Sequence, residues 1–352
     1  MTARARLWLL MAIVLVPCLC LPRTGSAATP PDSSKRVVEH ATEVWKSGDA
    51  DGAIALLQKS VESSTSAEAY HLLGQIYFKS KKKPREAVDA LTHSLKLKPA
   101  YPDALNDLAE VYLAQGKTAE AEQALTRAIE VDPKHEDSYL DLARLYESRH
   151  DIAAAMQVYR RLLAVRPTSA DGLFELAMLH ERQGNNDAAR QLLARLSKTH
   201  PTHADGWYQA GRLAERNNEL LEAAYAYRQA IAAKPNLVDA HYNLGFILRS
   251  QNKTSEAERE FLEVIRYRPE YAEAHMNLGV IYTSMNKLEE AERAYEKAVA
   301  LKPDYAEAHY NLGVFYELHR KDMPRALAQY HKYRNLGGRD DRVERIIGAA
   351  GR

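Results

Sequence analysis

Cysteine is nearly absent from this chain. Of 352 residues only Cys18 and Cys20 carry a thiol, so nothing beyond position 20 can form a disulfide, a thiolate nucleophile or a cysteine-ligated zinc site. Glycine (16) and proline (14) are too sparse for a collagenous or low-complexity chain. Neither charge is in excess, with 48 Lys+Arg against 47 Asp+Glu. That balance excludes a strongly basic nucleic-acid binder and an acidic disordered tail. A membrane-length apolar run is also missing near the start: Leu7–Leu21 is free of charge but spans fifteen residues and contains Pro17. About 20 are needed to span a bilayer as a helix.

What is present at the N-terminus reads as an export signal. Arg4 and Arg6 precede the apolar stretch, and Gly25-Ser26-Ala27-Ala28 offers small residues for cleavage after Ala27 or Ala28. Basic, apolar and small-residue segments in that order define a signal peptide, here residues 1–27. An uncleaved anchor is the alternative. Cleavage would remove Arg4, Arg6 and Arg23 but no acid, together with both cysteines. The expected mature chain is thus an exported protein held together by packing alone, periplasmic if the source is bacterial and secreted otherwise.

Everything after this segment is one repeat. Prolines stand at Pro99, Pro133, Pro167, Pro201, Pro235, Pro269 and Pro303, always 34 residues apart. With that proline as position 32, position 8 is small in every unit: Ala109, Ala143, Ala177, Gly211, Gly245, Gly279 and Gly313. Position 20 is alanine, from Ala121 to Ala291, and position 24 is large: Leu125, Tyr159, Leu193, Tyr227, Phe261 and Tyr295. Two helices of about a dozen residues explain the pattern. Small residues at 8 and 20 let the backbones approach, the large residue at 24 fills the remaining space, and proline stops the second helix.

Together these positions make the array resemble the tetratricopeptide repeat (TPR) family, most clearly in Ala272–Tyr305 with Asn277-Leu278-Gly279, Tyr282, Ala291, Tyr295, Ala298 and Pro303. The resemblance implies an all-α chain, a right-handed TPR superhelix of about nine helix-turn-helix repeats. Their expected bounds are 34–66, 67–101, 102–135, 136–169, 170–203, 204–237, 238–271, 272–305 and 306–338. Residues 28–33 read as a flexible tail, and 339–352 as a capping helix and tail, since Val343, Ile346 and Ile347 form a short apolar stripe. The second and ninth repeats each carry one extra residue, expected between the helices, beside Pro84 and Pro324. Atypical end repeats suit a stack that must be capped.

No catalytic constellation emerges. His241, His275 and His309 recur at position 4, too far apart in adjacent repeats for one zinc with ~2 Å bonds, so packing is the expectation. His200 and His203 flank an inter-repeat turn. Gly116-Lys117-Thr118 lacks the earlier glycine of a phosphate-binding loop and reads as the turn between helices. Position 2 is acidic in eight repeats, from Glu68 to Glu307, where the helix dipole favours negative charge. The basic run Lys79, Lys81, Lys82, Lys83 and Arg85 reads as a solvated loop, with contact to an acidic partner or an anionic membrane surface as the alternative. No cofactor and no required metal are expected.

In the TPR family the first helix of each repeat lines a concave face, and positions 5, 6 and 9 point toward it. The late repeats carry an aromatic-or-Met, Asn, apolar triad there: Tyr242, Asn243, Phe246; Met276, Asn277, Val280; Tyr310, Asn311, Val314. Tyr208 and Arg212 mark the transition from the more polar early repeats. An asparagine amide offers a donor and an acceptor, as an extended peptide main chain does. The row is similar to the asparagine ladder in the TPR arm of O-GlcNAc transferases, although no catalytic domain follows here. The resemblance implies a non-enzymatic scaffold with a protein or peptide partner and no nucleic acid. TPR proteins with such a signal serve as accessory factors in envelope, pilus or polysaccharide-export assembly. A structural or self-assembling part of a membrane-associated complex, and a glycan-binding module built on the groove tyrosines, are the alternatives.

Overall fold

The computed structural model describes residues 31–350 apart from Ser64. The expected signal peptide and residues 28–30 of the expected tail lie outside the described residues. Residues 31–33 do not form a tail: the first helix, α1, runs Pro31–Lys46. Its opening proline suits the first helical turn, where the missing N–H would have had no partner. Among the described residues there are nineteen α-helices and no strand, and none of the helices is long and apolar enough to cross a membrane.

The chain divides into two units, 1–115 and 116–352. The described part of the first contains α1, α2 (Ala50–Ser63), α3 (Ala67–Lys79), α4 (Pro84–Leu97) and α5 (Pro102–Ala114). Each of these helices packs on the next. The second opens with α6 (Thr118–Val131), α7 (Glu136–Ser148), α8 (Ile152–Val165), α9 (Ala170–Arg182) and α10 (Asn186–Thr199). It continues through α11 (Ala204–Arg216), α12 (Leu220–Ala233), α13 (Val238–Ser250), α14 (Thr254–Tyr267), α15 (Ala272–Ser284) and α16 (Leu288–Leu301). It ends with α17 (Ala306–Phe315), α18 (Met323–Asn335) and α19 (Asp341–Ala350). Consecutive helices pack in hairpins, and the second helix of each hairpin packs on the first helix of the next.

The local causes repeat with the sequence. The acidic residue at position 2 lies in the first turn of each first helix from α3 onward. A single left-handed residue stands at position 15, after the first helix of the repeat: Gly116, His150, Gly184, Asn218, Asn252 and Asn286, with φ between +57° and +76°. Glycine and asparagine tolerate that conformation best. The Gly116-Lys117-Thr118 triplet is such a turn. Large residues at position 24 are fully buried, among them Tyr159, Tyr227 and Phe261. The hydroxyls of Tyr159, Tyr227 and Tyr330 donate to Glu147, Glu215 and Glu317, the acids at position 12 of their own hairpins.

The two extra residues are handled differently. In the second repeat the surplus lengthens the turn between α3 and α4, where Lys82 is left-handed. In the ninth it does not sit between the helices. The first helix absorbs it as a π-helical turn, Tyr316–Arg320, before Lys321 reverses the chain. A single π-turn, with its i→i+5 hydrogen bonds, accommodates one extra residue within a helix. Arg320 anchors this turn to Glu289 and Glu292 of α16 at 2.9 and 2.7 Å. The terminal helix α19 buries Val343 against this last hairpin.

Position 4 has a clear role. Tyr139, Trp207, His241, His275 and His309 each donate a hydrogen bond to the carbonyl of the lattice proline six residues earlier, at 2.8–3.2 Å. The proline carbonyl that ends one repeat is thereby tied to the first helix of the next. His241 is 5% exposed and also faces Glu260, 2.7 Å from its other ring nitrogen. Burial opposes charge on this imidazole, but the Glu260 carboxylate, the Pro235 carbonyl and nearby Glu263 outweigh it and raise its pKa. A raised folded-state pKa stabilises the fold below the ordinary histidine value of about 6.5, and that contribution fades as pH rises through the folded pKa. His241→Leu places there the residue found at Leu105 and Leu173. Melting temperature measured from about pH 6 to 8.5 should fall less steeply in His241→Leu than in wild type; parallel curves would refute the assignment.

Three lysines of the basic run are paired. Lys81 contacts Asp51 at 2.6 Å, Lys79 approaches Asp107 and Glu110, and Lys83 approaches Glu86. His200 donates to the Thr168 carbonyl, and His203 accepts from the Gly206 N–H to cap α11. Both turn histidines therefore have structural partners.

Candidate peptide-binding groove

The second unit presents positions 5, 6 and 9 of α11, α13, α15 and α17 on adjacent helices. Positions 5 and 9 are four apart and so share a face; position 6 lies at its edge. The structure places the predicted residues at three depths. Phe246 is exposed, with the Arg249 guanidinium 5.0 Å from its ring centroid. Tyr208, Arg212, Tyr242, Asn243, Val280, Tyr310, Asn311 and Val314 are partly buried. Met276 and Asn277 are buried, at 3% and 1% exposure. The expectation that all three triads face the groove therefore needs correction at α15. The unbranched Met276 side chain lies in a cluster with Ala298 and Ala308, in the joint between the eighth and ninth repeats.

The aromatic members are held by rings behind them. Tyr208 rests 5.8 Å from Tyr227, and Tyr242 lies 5.7 Å from Phe261 and 5.2 Å from Tyr271. Tyr310 sits 5.2 Å from Tyr333. Burial pushes the hydroxyl pKa of Tyr208 and of Tyr242 up, so both stay protonated and can donate at neutral pH.

The asparagine amides are largely committed to the protein itself. Asn243 donates to the Tyr227 hydroxyl at 3.2 Å, and Asn311 donates to the Met276 sulfur at 3.4 Å. Asn277 donates to the Glu273 carbonyl one turn back at 2.8 Å, while its buried Oδ1 has no partner among the described residues. The amides of Asn243 and Asn277 also contact the hydroxyls of Tyr208 and Tyr242. Each amide thus meets position 5 of the preceding repeat, 35 residues earlier. That spacing was present in the sequence as Tyr208/Asn243, Tyr242/Asn277 and Met276/Asn311, and it is the signal that separates a repeat-to-repeat staple from a free ladder. What remains open to a ligand is a row of aromatic and aliphatic surfaces with Arg212 and Arg249 beside it.

Family models described as tetratricopeptide repeat match residues 38–104, 80–145, 112–155, 136–179, 174–238 and 226–259, and one described as TPR repeat matches 279–319. The chain is a tetratricopeptide repeat protein. Repeats of this family serve as scaffolds for protein and peptide partners. Solved structures agree on the fold: the C-terminal part of a TPR repeat-containing protein from Cytophaga hutchinsonii superposes with a TM-score of 0.54 at 18% identity. That match covers 69% of this chain and 99% of the other. PilF of Pseudomonas aeruginosa is similar at 19% identity, TM-score 0.48, over 59% of this chain and 94% of its own. YrrB, described as a TPR protein with an unusual peptide-binding site, is similar at 22% identity, TM-score 0.47, over 53% and 96%. No curated protein sequence matches the chain.

Proposed function

We propose that this TPR protein is an exported, non-enzymatic scaffold that holds an extended segment of an envelope or secreted partner along α11, α13 and α17. The observation that carries this reading is the row of partly exposed rings: Tyr208, Tyr242, Phe246 and Tyr310, one or two per first helix. Aromatic side chains bring large contact area with little entropy to lose, and they dominate peptide interfaces. Arg212 and Arg249 favour a segment with acidic residues. The export step is supported by the basic, apolar and small-residue order of residues 1–28.

The test is quantitative capture of partners from the source's own envelope extract, followed by affinity measurement with each purified partner. Tyr242→Ala/Phe246→Ala/Tyr310→Ala should weaken a groove-bound partner by at least ~30-fold, since hot-spot aromatics each contribute about 1–2 kcal/mol or more. Asn243→Ala/Asn277→Ala/Asn311→Ala should lower melting temperature more than affinity, because these amides join repeats. Equal affinity in the aromatic variant would move the interface off this face.

A further inference from the structure

Repeat 204–237 departs from the lattice in a concerted way, on the side of α11 opposite the groove. Position 7 is leucine from Leu108 and Leu142 through Leu278 and Leu312, but alanine at Ala210. Position 11 is Tyr112, Tyr146, His180, Leu248, Tyr282 and Tyr316 elsewhere, but alanine at Ala214. Position 28 of the preceding repeat is Ser197, where the others carry Ile129, Leu163, Ile231, Ile265 and Val299. All three truncations line one open cleft of about 810 Å³ between α10 and α12, floored by α11. That volume lies within the range of built ligand pockets.

The rim departs in the opposite sense. Leu221 and Tyr225 are 77% and 56% exposed. Their counterparts are small or polar: Ala119, Ala153, Asp187, Ser255 and Glu289 for the first, Gln123, Gln157, Gln191, Arg259 and Arg293 for the second. Tyr225 stands edge-on to Trp207 at 5.8 Å, which fixes both rings as a wall. A floor made small and a rim made apolar in the same place are unfavourable for an isolated stack, because they create a void and expose apolar surface.

Two polar features define what fits. Ser197 is 9% exposed, lines the cleft, and its hydroxyl has no partner among the described residues. A buried hydroxyl without a partner carries a desolvation cost that a bound donor or acceptor would relieve. At the rim Arg190 is neutralised by Glu219 and Glu222, at 2.8 and 3.4 Å. With Lys198 these four charges sum to zero, but Lys198 enters no ion pair among the described residues, which makes it the cation of the cleft open to an incoming carboxylate.

We infer that this cleft is a second binding site, which takes a partner polypeptide segment presenting a tyrosine or tryptophan beside an acidic residue. The ring fills the space against Trp207 and Tyr225, its polar tip meets Ser197, and the carboxylate pairs with Lys198. Rings with a polar tip suit a pocket that is apolar with one wet end.

The test uses the full chain, titrated calorimetrically into the millimolar range with the octapeptide Gly₃-Tyr-Asp-Gly₃. Controls are Gly₃-Phe-Asp-Gly₃, Gly₃-Tyr-Lys-Gly₃ and the small aromatic anion 8-anilino-1-naphthalenesulfonate. One site is expected for the Tyr-Asp peptide, with binding at least about tenfold weaker for each altered peptide. Ser197→Ile/Ala210→Leu restores lattice residues and fills the floor; Leu221→Ala/Tyr225→Gln restores them at the exposed rim, where folding is not at stake. Both variants should lose at least tenfold in affinity while keeping the wild-type helical signal, and Tyr242→Ala/Phe246→Ala/Tyr310→Ala should bind this peptide as wild type does. Unchanged peptide binding in the rim variant, no binding to the wild type, or binding of the naphthalenesulfonate alone would each overturn the proposal.

Discussion

Gly279→Val should cost about 2–3 kcal/mol, read as a fall in denaturation midpoint with little change in helical signal of the folded state. A Cβ built on Gly279 would stand 2.6 Å from two ring carbons of Tyr295. The ring cannot swing away: Tyr295 is 4% exposed and Phe315 packs 5.6 Å from it. Valine adds two further methyl groups in a helix, where its rotamers are already restricted. Gly245→Ala supplies the contrast. Its Cβ would lie 3.2 Å from the Phe261 ring, so a small shift admits it. Alanine gains up to about 1 kcal/mol over glycine in a helix interior, and the net change should be near zero. Repeat 136–169 already pairs Ala143 with Tyr159, both fully buried, which shows that a hairpin opened slightly accepts one methyl opposite a tyrosine. Tyr295→Leu should rescue most of the loss in Gly279→Val, since Ala177 with Leu193 is a natural small-and-aliphatic pairing. If Gly279→Val were as stable as wild type, close backbone approach at position 8 would not be what fixes glycine there.

These pairings could be seen in the sequence because each is set within one hairpin of fixed length. Positions 8, 20 and 24 meet through contacts that two short helices and a three-residue turn determine, so period and residue size suffice to find them. The groove was less legible. Whether position 5 or 6 reaches solvent depends on the side chains of the neighbouring first helix, which a helical wheel does not contain. Phe246 at position 9 emerges, while Met276 at position 5 of the next first helix is covered although those two positions share a face. The donors at position 4 were visible as a recurring Tyr, Trp or His, yet their acceptor was not, because a proline carbonyl leaves no mark on side-chain pattern. The π-turn at Tyr316–Arg320 was hidden for a related reason: one surplus residue fits either a turn or a helix end. The Arg320 pairs with Glu289 and Glu292 favour the helix end. The cleft beside Trp207 was not read from the sequence: its three small residues stand at positions 7, 11 and 28, and only packing shows that they share one space.

Tyr330→Ala and Tyr227→Ala remove the same side chain from equivalent places, and they should fail differently. Both rings are fully buried, and truncation of such a residue costs about 3–5 kcal/mol. Tyr330 fills the space beside Gly313, and its hydroxyl reaches Glu317, which Arg342 of α19 also grips at 2.7 Å. Losing that ring therefore loosens α17, α18 and the capping helix together. In a stack of repeats each unit is stabilised only by its neighbours, so damage at an end stays at the end. Hydrogen exchange should show residues 306–350 of Tyr330→Ala unprotected, with α7–α14 close to wild type. Tyr227 lies in an interior repeat: it joins the next one through Asn243 and packs within its own hairpin against the ring of Tyr208. Its loss should lower protection in α11 through α14 at once and split the melting transition of the second unit. A Tyr330→Ala chain that melted as one cooperative block, earlier but undivided, would mean that coupling within this unit extends well beyond adjacent hairpins. The nearest-neighbour view of its stability would then be wrong. Tyr330→Phe isolates the hydroxyl: it keeps the ring and should cost about 1 kcal/mol, the share of one hydrogen bond.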